Sequence, residues 1–143
     1  MDTLTFLIVL AVLVAALVWL RSWRQRLTLA DKLSRRPSLE FEEFYKKFYD
    51  GKIDRQTVRR LLDEVASEFS VPPEKLLATD RFDVELKQPV GHEFDAGTSM
   101  LPMQVEMLSR ARGGMLKAES ITSVDDYITE MARLGHGNSP FFS

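Results

Sequence analysis

The sequence predicts an all-α protein: an N-terminal transmembrane helix followed by a small helical bundle. Three observations carry that expectation. Thr3 to Leu20 holds no charged side chain, and as a helix this run would be about 27 Å long, close to the hydrocarbon thickness of a bilayer. Beyond residue 40, apolar residues recur at helical spacing. No stretch alternates apolar and polar for long enough to make a strand.

The first element is read over residues 1–20. It is apolar all round, which argues against a helix packed in a soluble core. Asp2 is the only charged side chain before the uncharged run, so the positive leader of a signal peptide is missing. Residues 21–37 form a basic juxtamembrane linker. Arg21, Arg24, Arg26, Lys32, Arg35 and Arg36 stand there against Asp31 alone. The positive-inside tendency then places the N-terminus outside and the remainder in the cytoplasm, with the lipid bilayer as a partner. Trp19 and Trp23 bracket the boundary, where indole rings favour the headgroup layer. Pro37 disfavours helix in the residue before it, so Ser34–Ser38 reads as a hinge.

Residues 38–135 are read as the helical domain. Phe41, Phe44, Tyr45, Phe48 and Tyr49 form one aromatic stripe, read as core or as a lid over the bundle, and Gly51 ends that helix. Asp54 is placed to cap the next helix, with Ile53 and Val58 stapled across the cap. Val58, Leu61, Leu62, Val65 and Phe69 give its apolar face, and Pro72-Pro73 stop it. Residues 74–98 read as irregular, anchored by Leu76, Leu77, Phe82, Val84 and Leu86. A further helix runs from Ser99 to about Arg112, where Gly113-Gly114 break it. The last starts at Ser123, with Asp126 completing a capping box, and buries Val124, Tyr127, Ile128 and Met131. Gly135 closes it, and 136–143 is expected to be a flexible tail.

Composition narrows the chemistry. There is no cysteine, and only His92 and His136 among histidines, so thiolate and His-rich metal centres are excluded. His92 beside Glu93 and Asp95 reads as a solvated loop. Asp50-Gly51-Lys52-Ile53-Asp54 has the look of a calcium loop, but the positions that should supply oxygen ligands are Lys46 and Phe48, and Thr57 replaces the closing glutamate. No nucleophile–base pair or phosphate-cradling glycine loop is present, so the expectation is a non-enzyme with no catalytic and no metal residues. Residues 37–143 hold 13 cations and 19 anions, which argues against nucleic acid as a partner. Met100, Met103, Met107 and Met115 cluster around one helix, either as core filling or as a soft, adaptable pocket.

Two stretches together resemble the acyl carrier protein superfamily. Thr57 to Leu86, TVRRLLDEVASEFSVPPEKLLATDRFDVEL, is similar to a first carrier helix, its Val/Pro turn and the following Phe-anchored loop. Ile121 to Ile128, ITSVDDYI, looks like the start of the last carrier helix. The resemblance implies an acyl-carrier-like helical bundle. It also implies a serine at the start of the second helix that carries 4'-phosphopantetheine, and Ser99 is the matching residue. Helix N-termini suit the phosphate of such an arm. The sequence departs from the family in three places. Ser99 lies in Thr98-Ser99-Met100, with no aspartate before it. KQPVGHEFD is inserted from Lys87 to Asp95. The helix after Ser99 carries Glu106 alone against Arg110 and Arg112, where carriers are acidic.

These departures favour a membrane-anchored, non-catalytic carrier-like domain that works as a protein-interaction module, its protein partner unknown, with Ser99 as a helix cap. A working carrier modified on Ser99 is the alternative. A lipid-sensing regulator using the methionines, with no covalent arm, is the third reading.

Overall fold

A computed structural model describes residues 3–87 and 100–135, with side chains described at 5–21, 29–87 and 100–135. Five α-helices lie within them: α1 Thr3–Ser34, α2 Phe41–Phe48, α3 Arg55–Phe69, α4 Met100–Ala111 and α5 Val124–Arg133. Two 3-10 turns, Pro73–Lys75 and Ala118–Ser120, punctuate the connections. The described residues hold no strand, only an isolated antiparallel bridge between Arg81 and Ser123. The all-α expectation is met at that level.

The membrane expectation is corrected. Among the described residues no helix is long and apolar enough to cross a membrane. The uncharged run is only part of α1, which carries charged residues from Arg21 onward and continues through polar sequence to Ser34. The single-pass topology, with N-terminus outside and domain cytoplasmic, drops out with it.

The C-terminal end of α1 is part of the domain. Leu33 is fully buried in the core and Leu29 packs against it. Just past the helix, Arg36 Nη1 lies 2.8 Å from both carboxylate oxygens of Asp80. Lys75 Nζ donates to the carbonyls of Ser34 (3.3 Å) and Arg36 (2.6 Å), which would otherwise lack partners at a helix end. Leu39 N donates to Glu74 O, fastening the next residues to the same loop.

The α2–α3 hairpin follows its sequence signals. Phe44 and Tyr49 of the stripe are buried, while Phe41, Tyr45 and Phe48 pack at the edge. Gly51 takes φ +70° in the turn. Asp54 Oδ2 accepts from Thr57 N at 3.0 Å, the expected cap. Arg59 lies over the Phe41 ring at 4.9 Å, and Arg55 pairs with Glu42, so cations cover the aromatic edge. Val58, Leu61, Leu62, Val65 and Phe69 of α3 are all buried. The helix ends before the prolines: Ser70 turns left-handed at φ 53°, and Val71 N returns to Ala66 O.

The loop after α3 threads Leu76, Ala78, Phe82 and Leu86 into the core, with Phe82 stacked on Phe69 at 5.8 Å. Val84, read as an anchor, is exposed. The loop also closes the N-terminus of α5. Val124 N donates to Asp80 O and Asp125 N to Ala78 O, both at 2.9 Å. Ser123 and Asp126 form the expected capping box. Asp126 loses hydration by partial burial, which pushes its acidity down, but donors from Thr122 and Ser123 outweigh this and hold its carboxyl below the usual range.

Candidate functional site

Ser99, the residue matched to the attachment serine, lies outside the described residues, as do His92, Glu93, Asp95 and the tail 136–143. The structure does describe the helix that begins immediately after it. Pro102 sits in the first turn of α4, where a missing N–H costs no intrahelical bond. The first described N–H of α4, Met100 N, donates to Glu68 Oε1 at 3.3 Å. A carboxylate from α3 therefore stands at the positive end of α4, the place where a phosphate would otherwise be favoured.

The methionines do not fill the core. Leu101, Pro102, Val105 and Ser109 face inward from α4. Met100, Met103 and Met107 face out, at 56%, 48% and 69% exposure, and Met115 is more exposed still. Met131 of α5 is the one methionine that the described core contains. Positions 100, 103 and 107 share a helix face, so these exposed methionines form a strip that spans about 10 Å of helix axis.

Beside this strip a trough of about 690 Å³ runs between α3, α4 and α5. Its apolar wall is Leu101, Met107, Leu108 and Met131. Glu64 and Glu68, one turn apart on α3, form its rim, and its lining includes no lysine or arginine. Both carboxylates are held in place. Tyr127 Oη donates to Glu64 Oε2 at 2.8 Å, and Glu68 takes the Met100 N–H. Burial, then the neighbouring Glu64 charge, pushes the Tyr127 phenol well above its ordinary value, so it remains a donor.

A second hollow of about 640 Å³ lies between the α2–α3 turn and the start of α5. Several of its polar groups are paired internally. Tyr49 Oη donates to Asp125 Oδ1 at 2.8 Å, Arg81 pairs with Asp83 through two contacts, and Asp126 serves the capping box. Burial and Asp125 push the Tyr49 phenol far up as well.

Glu64 and Glu68 were not singled out by the sequence reading. The signal was present: both lie at the edge of the α3 apolar stripe, three and seven residues after Leu61. Comparison with known proteins adds no assignment: no family model, curated protein or solved structure matches the chain.

Proposed function

We propose that the chain is a non-catalytic helical module of acyl-carrier-like build that works by holding a protein partner. The observation that carries this reading is the row of exposed methionines on α4 beside an open apolar trough. A helix that turns its polarizable, adaptable side chains outward is suited to binding rather than to packing its own core. The carrier-like build is supported by the order of elements: α3, a long anchored loop, α4 beginning after Ser99, then α5. Glu68 at the start of α4 ranks the interaction reading above a working carrier, because its charge opposes a phosphate there.

The test is the intact mass of the protein purified from its own host, beside Ser99→Ala. The expected result is an unmodified mass, unchanged after incubation with a broad-specificity phosphopantetheinyl transferase and coenzyme A. An added phosphopantetheine mass that disappears in Ser99→Ala would replace this reading with the working carrier.

A further inference from the structure

We infer that Ser38 is a phosphoacceptor for a protein kinase that reads paired arginines, and that the contact of Arg36 with Asp80 masks this site while the end of α1 is docked. The inference goes beyond the interaction reading and does not depend on it.

The sequence supplies the pattern. Arg35-Arg36-Pro37-Ser38 places arginines three and two residues before a hydroxyl, and no other serine or threonine of the chain has both. Kinases sort their substrates by such charge patterns. Arginine suits the task, because its rigid fork of donors pairs with a carboxylate through two bonds. The structure puts the hydroxyl within reach. Ser38 is exposed and lies between α1, which ends at Ser34, and α2, which starts at Phe41. Pro37 disfavours helix at Arg36, and Glu40 is extended.

The structure also divides the two arginines. The Arg35 side chain is 81% exposed, and its pair with Asp31 is a weak surface pair. Arg36 points the other way. Its Nη1 lies 2.8 Å from both oxygens of Asp80, which is buried, and 3.4 Å from the carbonyl of Lys75. Lys75 Nζ on the carbonyls of Ser34 and Arg36, and Leu39 N on Glu74 O, fasten the flanking backbone to the same loop. The docked chain therefore offers a kinase one arginine of the pair. With the end of α1 lifted it offers both.

The chemistry is phosphoryl transfer from a nucleoside triphosphate. Ser38 Oγ bonds to the γ-phosphorus, the bond from that phosphorus to the β–γ bridging oxygen breaks, and the nucleoside diphosphate leaves. A base of the kinase takes the hydroxyl proton.

The test uses the full chain and a synthetic peptide of residues 32–42 as the unmasked reference. The probe is the catalytic subunit of a cyclic-AMP-dependent protein kinase, which selects serines preceded by paired arginines. Initial rates are read as phosphate gained by intact mass, and the site by fragmentation. The peptide is expected to be phosphorylated at Ser38. The full chain should react about tenfold more slowly at equal concentration, because a charge-assisted contact must open first. Asp80→Asn weakens that contact and should speed the full chain about fivefold. Ser38→Ala should lose the label. Asp54→Ala removes the α3 cap at a comparable cost in stability and should leave the rate unchanged, which separates release of Arg36 from general loosening.

An inert peptide, a full chain that reacts as fast as the peptide, or a label that survives Ser38→Ala would each overturn the inference. So would Asp80→Asn without acceleration, or an equal acceleration by Asp54→Ala.

Discussion

Replacing Arg36 should unseat the end of α1 at a cost set by burial rather than by the mere loss of an ion pair. The Asp80 side chain is 2% exposed and that of Arg36 25%. Removing the cation strands a carboxylate with the Leu77 N–H, at 2.9 Å, as its remaining described donor. Breaking a buried pair from one side costs about 3–5 kcal/mol, so Arg36→Met should fall near the lower figure, about 3 kcal/mol, because water reaches the arginine side of the pair. Asp80→Asn should cost less, about 1–2 kcal/mol, since the amide oxygen still accepts and Arg36 can turn to solvent. Removing both groups as Arg36→Met/Asp80→Leu should cost less than the sum of the two single changes, with a coupling of about 2 kcal/mol. Urea unfolding followed by far-ultraviolet circular dichroism measures all three against a total stability of about 5–15 kcal/mol. The reasoning is refuted if Arg36→Met costs under about 1 kcal/mol, the range of an exposed ion pair. Asp80 would then be reachable by water.

Two further outcomes follow from local geometry. Ser70 holds a left-handed φ of 53° at the end of α3, so Ser70→Gly should raise stability by about 0.5–1 kcal/mol in the same urea assay, and a loss would mean its side chain contributes there. Asp126→Asn removes the charge that Thr122 and Ser123 stabilise, and should cost about 1 kcal/mol at pH 7. Because the folded carboxyl is more acidic than the unfolded one, its contribution is complete above the unfolded value of about 4 and is lost as pH falls through the folded value. The gap between wild type and variant should therefore narrow as the pH is lowered below about 4, and a constant gap would remove the charge from the explanation.

The parts of the fold that were legible in the sequence are those fixed by local chemistry. Asp54 and the Ser123/Asp126 pair mark helix starts because side-chain oxygens must meet free backbone N–H groups. The α3 and α5 stripes were equally readable, since each buries five or four residues at strict helical spacing. Helix α4 was legible as an element, but the sequence leaves its methionines open between core filling and an adaptable pocket. Its inner face is Leu101, Pro102, Val105 and Ser109, so a proline and a serine occupy positions that composition assigns to solvent, and core filling by Met100, Met103 and Met107 fails. The docking of α1 was hidden too. Leu29 and Leu33 stand one turn apart inside a strongly basic run, and charge outweighed spacing. The trough was partly legible: Met107 had been noticed, but the rim needed α3 and α4 placed side by side, which one helical period cannot supply.

The end of α1 has a mechanical consequence. A helix of 32 residues is about 48 Å long, and it is gripped at one end by Leu33, by Lys75 on the carbonyls of Ser34 and Arg36, and by Arg36 on Asp80. The backbone of that same aspartate holds Val124, the first residue of α5. A sideways force at the far tip of α1 is therefore not absorbed by a slack joint. It is multiplied by the arm and delivered as torque to the root of α5, whose Met131 walls the trough. Tilting α1 would therefore load the contacts at Asp80, where the end of α1 and the start of α5 are both held.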